Sequence, residues 1–205
     1  MKVLYWNCYF KTPPQVVLRE LKEMAATHKP HIIGLGEASY MRGITDDVPG
    51  YRRIHLPRVR RVGNEDADTA VLVRNDVQLR YKRVWRMGMK WYVPRKRVLH
   101  DPRVYIVVRV KVEGKRWRIA IGHWPFGAAQ EETKRKVKRW FTWSTLPSAF
   151  VGDLNAREPE ITQYFKPLRN IGFGIDRAIY KKCRVTARNL GKHGSDHPAV
   201  LFNFR

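Results

Sequence analysis

The sequence predicts a single α/β domain that is rich in strands. The first segments alternate strand, helix and strand, which indicates a β-α-β unit. Most later segments combine β-branched and aromatic residues between turn signals, as is typical of strands. A chain of 205 residues with 43% hydrophobic residues can fill one core, and about 70% of its surface is expected to be buried on folding. No internal repeat or linker divides residues 1–205.

The opening β-α-β unit is predicted from three consecutive patterns. Residues 2–9 are dense in β-branched and aromatic side chains and predict the first strand. Thr12, Pro13 and Gln15 have the types and spacing of a capped helix start, and apolar residues then recur at helical spacing to about Thr27. A short apolar strand follows and ends at Glu37. We therefore expect the first two strands to pair in parallel, or nearly so.

The same patterns place the remaining elements. A second, strongly cationic helix is predicted over residues 131–143, and further strands over 51–56, 70–74, 77–85, 104–112, 116–123, 149–151, 174–180 and 199–204. Asn75-Asp76 and residues 113–115 read as hairpin turns. The basic and aromatic segment between Met87 and Pro102 contains prolines and predicts a loop.

The charge of the chain is its most unusual global property. Lys and Arg number 41 and Asp and Glu 18, so the formal net charge is +23. Such a charge favours a polyanionic partner, with nucleic acid as the first candidate and an anionic membrane surface as the second, although a generally basic proteome also produces high isoelectric points.

Two other compositional features exclude classes of protein. No apolar run approaches the roughly 20 residues of a membrane span. Two cysteines are too few for a disulfide scaffold or an all-cysteine zinc site. We expect a reducing, intracellular setting without a signal peptide, because Asn7 interrupts the short apolar start.

Polar residues collect where the predicted strands end. They are Asn7, Glu37, His123, Asp153, Asn155, Asp176, Asp196 and His197. Each alone is an ordinary turn residue or a half-buried strand histidine. In layered α/β folds, however, strand ends line one edge, where sites form. Carboxylates and amides gathered there are suited to a hard cation such as Mg²⁺, with the histidines as proton-transfer groups.

The ordered set resembles the endonuclease/exonuclease/phosphatase superfamily, which includes DNase I-like nucleases, apurinic endonucleases, inositol polyphosphate phosphatases and sphingomyelinases. The resemblance implies a four-layered α/β/β/α sandwich with the site at one end of two packed sheets. One departure is Gly36, where family members usually carry Gln. The matching segments are Leu4–Asn7, Ile32–Glu37, Gly122–Pro125, Gly152–Asn155, Gly174–Arg177 and Ser195–His197.

The resemblance also implies a metal site. Glu37 matches the principal ligand of Mg²⁺ or Mn²⁺, and Asn7 and Asp196 match further ligands, direct or through water. The cation would neutralise the scissile phosphate and stabilise the leaving oxygen.

Five residues match the groups that handle protons and phosphate oxygens. His197 matches the site histidine, and Asp176 the carboxylate that fixes its tautomer. Asp153 would orient or deprotonate water, and Asn155 would donate to the transition-state oxygens. His123 matches a second histidine that contacts phosphate or acts as the acid, with the acidic run 65–68 as one candidate partner. Whether Asp153 or His197 is the base stays open at this point.

The substrate is a separate question, because this fold serves several phosphoesters. Basic runs with interleaved aromatic residues flank the predicted rim and suit a phosphodiester backbone, although each run can also be a solvated face. The substrate-binding candidates are Arg95, Lys96, Arg97, Lys134, Arg135 and Lys138.

The sequence therefore predicts a metal-dependent phosphodiesterase that acts on DNA rather than RNA, as an endonuclease or abasic-site nuclease. We expect it to be a monomer that does not bind membranes. Two alternatives are a phosphatase of inositol polyphosphates or other small phosphoesters, and a nucleic-acid-binding protein with a vestigial site.

Overall fold

Two six-stranded sheets packed face to face form the centre of the computed structural model. It describes residues 1–9, 11–38, 44–55, 69–86, 90–93, 96–100, 104–125 and 128–205. The helices are α1 (Pro14–His28), α2 (Ala128–Thr142) and α3 (Glu158–Phe165), with a 3₁₀ turn at Ile44–Asp47. The strands are β1 (Lys2–Asn7), β2 (Ile32–Gly36), β3 (Tyr51–His55), β4 (Ala70–Arg74), β5 (Gln78–Arg86), β6 (Lys90–Val93), β7 (Lys96–His100), β8 (Val104–Val112), β9 (Lys115–His123), β10 (Ser148–Asp153), β11 (Arg169–Phe173), β12 (Asp176–Lys181), β13 (Val185–Asn189) and β14 (Val200–Phe204).

Each sheet is built around one β-α-β unit. The first sheet has the order β13-β14-β1-β2-β4-β3, and β1 pairs in parallel with β2, as the sequence predicts. The second has the order β11-β12-β10-β9-β8-β5, and β9 pairs in parallel with β10. A parallel pair needs a crossover, which α1 provides in the first unit and α2 in the second.

Three hydrophobic layers confirm the four-layered α/β/β/α sandwich. Inward residues of both sheets, including Val3, Ile121 and Val151, form the layer between the sheets. Alternate residues of β1 point the other way and pack with Leu21 of α1. Val137 of α2 and Ile161 of α3 cover the outer face of the second sheet. Each fully buried side chain of this size contributes about 1.5–3 kcal/mol, and the period of two along β1 sends its residues to both layers.

Two predicted connections are wrong. Asn75-Asp76 does not close a hairpin, because β4 lies in the first sheet and β5 in the second. The local turn signal is real, but it does not specify which sheet the next strand joins.

The segment predicted as a loop between Met87 and Pro102 contains the antiparallel pair β6 and β7. Its Lys, Arg and Pro content disfavours strands, and pairing of the two segments outweighs that preference.

The start of α1 also differs from the prediction. Pro13 is the N-cap and no side chain caps the helix. Thr12 instead donates its hydroxyl to the Gly194 carbonyl at 3.2 Å, which ties the helix start to the segment before β14. The prediction omitted α3, β11 and β13. No helix among the described ranges is long and apolar enough to cross a membrane.

Candidate active site

Strand register brings the polar strand ends together. Asn7 lies opposite Gly36 on the parallel neighbour, so Glu37 follows directly beside it. In the second sheet Asp153 lies opposite both His123 and Asp176, on its two neighbouring strands. Because the two parallel pairs end at the same end of the sandwich, side chains from both sheets meet there.

Asn7 connects the two sheets. Its side chain is fully buried, and Nδ2 donates to Asp153 Oδ2 at 3.1 Å and to Glu37 Oε1 at 3.3 Å. Its Oδ1 accepts the backbone N–H of Tyr9 at 3.1 Å. The amide nitrogen is therefore the atom that Asn7 presents to both carboxylates in this arrangement.

Asp153 contacts both its own strand-end turn and a neighbouring histidine. Its Oδ1 accepts the backbone N–H of Asn155 at 2.8 Å, and its Oδ2 lies 3.4 Å from His123 Nε2. His123 is buried and Asp153 is one partner that the structure gives it, while the acidic run 65–68 lies outside the described residues. Burial and the charge of Asp176 raise the pKa of Asp153 to about 6.

Asp176 and His197 form the predicted pair. Asp176 Oδ2 lies 2.8 Å from His197 Nδ1, and burial raises the pKa of Asp176. Burial lowers the pKa of His197, but its hydrogen bond to Asp176 and the charges of Asp176 and Asp153 have the larger combined effect and raise this pKa to about 9. The pair therefore favours an imidazolium beside a carboxylate, and the ring is oriented from its Nδ1 side.

The donor set fits a hard divalent cation. Asp153 and Asp176 present carboxylate oxygens that lie, with a ring nitrogen of His197, within 4.8 Å of one another, and the charges of Asp196 and Glu37 act on Asp176. Asp176 Oδ1 is buried and has no hydrogen-bond partner in the described part of the chain. An oxygen-rich, anionic cluster with a spare buried acceptor is suited to Mg²⁺ or Mn²⁺. Asp196 is half exposed at the mouth of the cluster, with Oδ1 3.9 Å from His197 Nε2.

Two site residues have left-handed backbones. Glu37 has φ +53° and Asn155 has φ +46°. A non-glycine residue in this region costs about 1–3 kcal/mol and persists where its surroundings require it. Asn155 Nδ2 donates to the Trp124 carbonyl, so this amide is used within the protein to hold the turn that follows Asp153.

Two supporting residues were missed by the sequence reasoning. Ser195 donates its hydroxyl to the Asn7 carbonyl at 2.7 Å and accepts the backbone N–H of His197 at 3.1 Å. Gln130 of α2 donates to the carbonyls of Leu154 and Asn155. Ser195 lies inside a matched segment and could have been suspected, whereas nothing in the sequence marks Gln130.

The basic candidates lie in different environments. Lys134 is buried, forms an ion pair with Glu131, and lies over the Tyr164 ring. Lys138 is exposed and donates to the Tyr164 carbonyl, and Arg135 is exposed on the same helix. Lys96 and Arg97 lie in β7, and Arg95 lies outside the described residues.

The sequence profile of the Endonuclease/Exonuclease/phosphatase family matches residues 4–197. The chain belongs to this family. The match runs from the strand that ends at Asn7 to His197, so it includes every element that supplies the cluster. No curated protein matches the chain in sequence.

Solved structures share the DNase I-like fold of this family. TDP2 of D. rerio, complexed with a single-strand DNA product, has a TM-score of 0.76 at 14% identity, with 100% of this chain and 98% of that chain covered. The human Nocturnin catalytic domain, with a bound sulfate anion, has a TM-score of 0.71 at 15% identity, with 100% of this chain and 94% of that chain covered. The mannosyl-6-phosphatase of Bacteroides thetaiotaomicron has a TM-score of 0.70 at 16% identity, with 100% of this chain and 99% of that chain covered. At such identities the similarity establishes the fold.

Proposed function

We propose that this protein is a metal-dependent phosphodiesterase that hydrolyses the DNA backbone, acting as an endonuclease or abasic-site nuclease. The observation that carries the proposal is the convergence of Asp153, Asp176 and His197 within 4.8 Å at the joint end of both β-α-β units. The activities in the family's name all cleave phosphoesters, and this chain has carboxylates and a histidine clustered at one rim.

A cation bound at this rim would neutralise charge on the phosphate and on the leaving oxygen. Glu37 and Asp196 would hold it, and Asn7, which the sequence predicts as a further ligand, would instead orient Glu37 and Asp153 through its Nδ2. This assignment is supported by the position of Glu37 beside Asn7 at the end of the first sheet and by the charges of Asp196 and Glu37, which both act on Asp176.

Asp153 is the better candidate for the general base. With a pKa of about 6, Asp153 is largely ionised at neutral pH. Because this pKa is close to pH 7, the carboxylate can accept a proton from water. The N–H groups of Asn7 and Asn155 fix its two oxygens. His197, with a pKa of about 9, would be protonated and would donate to a phosphate oxygen instead.

Nucleic acid as substrate is supported by the net charge of +23 and by exposed cations on α2, which begins beside the site. An elongated polyanion recruits a large basic surface, whereas a small phosphoester needs only a local pocket. The alternative is a phosphatase of small phosphoesters. It is supported by Lys134, because this predicted DNA-binding cation is already paired with Glu131 and so adds little to a surface for a polyanion.

We infer that the protein works as a single domain and as a monomer.

The test compares six substrates, each with and without a divalent cation. Supercoiled plasmid, linear duplex, single-stranded DNA, RNA, inositol polyphosphates and mannose 6-phosphate are incubated with the protein in Mg²⁺, Mn²⁺ or EDTA. We expect metal-dependent cleavage of DNA that Asp153→Asn abolishes. Asp76→Asn is the matched control, since Asp76 lies on an exposed turn in contact with Arg74. Phosphate release from the small esters without DNA cleavage would replace the proposal by its alternative.

A further inference from the structure

One buried hydroxyl at the site has no role in the mechanism described above. Tyr5 lies on β1 two residues before Asn7, and its side chain is fully buried between the sheets. The rest of its ring packs against Gly34 and Ile121. Its hydroxyl donates no hydrogen bond to the described residues, which is unusual for a buried tyrosine, while the backbone N–H of Asp153 faces its oxygen. Leaving such a group unpaired costs about 1–3 kcal/mol, so a group of this kind calls for a functional or structural reason.

The position of Gly36 locates this hydroxyl. A Cβ added at Gly36 would lie 2.5 Å from Tyr5 Oη, a distance that real Cβ atoms do not adopt. The φ of Gly36 is not among the positive values, so the backbone itself does not require glycine here. Glycine is required because the hydroxyl of Tyr5 occupies the space of a side chain at position 36. That space lies beneath Glu37 and beside Asn7.

The surroundings of the hydroxyl are anionic. Burial raises the pKa of Tyr5 well above its ordinary value, and the charges of Asp153, Asp176 and Glu37 raise it further. The hydroxyl lies in the space next to Asn7, whose side chain contacts Asp153 and Glu37, so it faces a group of acceptors. One of these, Asp176 Oδ1, is itself buried and unpaired in the described part of the chain. The hydroxyl proton of Tyr5 and the Asp176 Oδ1 acceptor are thus both unused at the same end of the sandwich.

We propose that Tyr5 is a positioning residue of the active site, whose hydroxyl donates a hydrogen bond to the buried Asp153–Asp176 carboxylate pair through one water molecule. This inference rests on the proposed function. The bond supplies a donor to two adjacent buried carboxylates and fixes the carboxylate that orients His197. Tyr5 touches neither substrate nor reacting atoms, so its contribution passes through the orientation of Asp153 and His197.

The first experiment tests the placement of the hydroxyl through stability alone. Gly36→Ala is expected to lower the melting temperature strongly in the wild-type background, because its Cβ meets Tyr5 Oη. In a Tyr5→Phe background the next contacts of that Cβ are Asn7 atoms at 3.4 Å, so most of the loss should disappear. Equal losses in both backgrounds would mean that the hydroxyl does not occupy this space and would overturn the inference.

The second experiment tests the effect on the site. Tyr5→Phe keeps the ring and is expected to lower kcat about ten-fold while KM stays within about two-fold of wild type. Tyr180→Phe is the matched control, because Tyr180 is also buried between the sheets but lies at the far end of β12 from Asp176. It should change neither constant. A Tyr5→Phe enzyme with wild-type kcat overturns the positioning role.

A third measurement does not depend on catalysis. In metal-free protein, the Nδ1–H proton of His197 reports its hydrogen bond to Asp176 by NMR. Tyr5→Phe should shift this resonance and Tyr180→Phe should not. An unshifted resonance in Tyr5→Phe overturns the inference even if the wild-type enzyme is active. Conversely, a wild-type protein that cleaves no phosphoester overturns the proposed function, while the stability cycle and this resonance still decide the placement of Tyr5.

Discussion

Asp153 and Asp176 lie directly opposite each other on the adjacent antiparallel strands β10 and β12, at the last pair of their register. Both side chains are only 1% exposed. Two buried like charges oppose folding, and each is stabilised from outside the pair, Asp153 by Asn7 and Asp176 by His197. Such an arrangement sacrifices stability and is expected where chemistry requires it.

Replacing Asp176 by Asn tests this view of the pair. The change replaces the carboxylate that accepts His197 Nδ1–H by an amide that can also present an N–H to the ring, and it removes the charge that raises the pKa of His197. We expect kcat to fall by about 10² or more, as when an orienting carboxylate is lost. Stability against urea should stay level or rise, because a neutral amide relieves the repulsion with Asp153. Wild-type turnover in this variant would show that the Asp176–His197 pair has no catalytic role.

The parts of the site that the sequence predicts are those carried by local pattern. Asn7, His123 and Asp153 stand at strand ends, and parallel pairing across short crossovers brings such ends together. The contact between Tyr5 Oη and Gly36 could not be predicted, because it depends on the pairing register and on the distance between sheets. Gln130 was missed for a similar reason, since only the packing of α2 on the second sheet brings it to the turn after Asp153.

Glu37→Gln tests the metal assignment. The variant keeps the side-chain shape and the acceptor for Asn7 Nδ2 but removes a charge. Since charge on hard oxygen ligands dominates the affinity for Mg²⁺ and Mn²⁺, we expect weaker Mn²⁺ binding by calorimetry and loss of most activity. The circular dichroism spectrum should not change. Full activity in EDTA, or unaltered Mn²⁺ binding by Glu37→Gln, would contradict the assignment.

Ser195→Ala tests the connection between β1 and the segment that carries His197. The hydroxyl is buried, and its loss leaves the Asn7 carbonyl and the His197 N–H without this partner. We expect a loss of about 1–3 kcal/mol in the free energy of unfolding.

A matched variant separates the two consequences of this change. Ser144 is equally buried and hydrogen-bonded to Ser148, at the end of β10 away from Asp153. Ser144→Ala should lose stability without losing kcat, whereas Ser195→Ala should lose both. Equal kcat values for the two variants would remove Ser195 from the supporting residues of the site.

His31 predicts a pH dependence of stability away from the site. Its Nδ1 accepts the backbone N–H of Lys2 at 2.9 Å, and burial and the nearby Arg74 lower its pKa to about 4. Since the ordinary pKa is near 6.5, protons bind the unfolded chain more tightly. The stabilisation is therefore complete above pH 6.5 and lost as the pH falls toward 4.

The comparison with His31→Gln isolates this contribution. Gln can accept the Lys2 N–H but does not titrate. Between pH 7 and pH 5, wild type should lose about 2 kcal/mol more unfolding free energy in urea than His31→Gln does. Parallel losses in the two proteins would assign the acid sensitivity to other groups.

The substrate class can be read from the salt dependence of DNA binding. Asp153→Asn should bind DNA without cleaving it. If about five phosphates are neutralised, counterion release predicts a slope of roughly −4.5 for log K against log salt on duplex. Arg135 and Arg139 are exposed on one face of α2, so reversing both to Glu should weaken binding and flatten the slope by about 1.8. Lys134 is unsuitable for this test, because its reversal would break the buried ion pair with Glu131.

The control reverses the same number of charges on the opposite outer face. Lys22 of α1 and Arg188 of β13 are both exposed there, and their reversal to Glu should alter the slope less. In the active background, both double variants should hydrolyse a small chromogenic phosphodiester at the wild-type rate, because neither touches the carboxylate cluster. If both lower DNA affinity equally, binding reflects net charge alone. If neither alters it and inositol polyphosphates are hydrolysed rapidly, the basic helix does not select the substrate, and the site serves small phosphoesters.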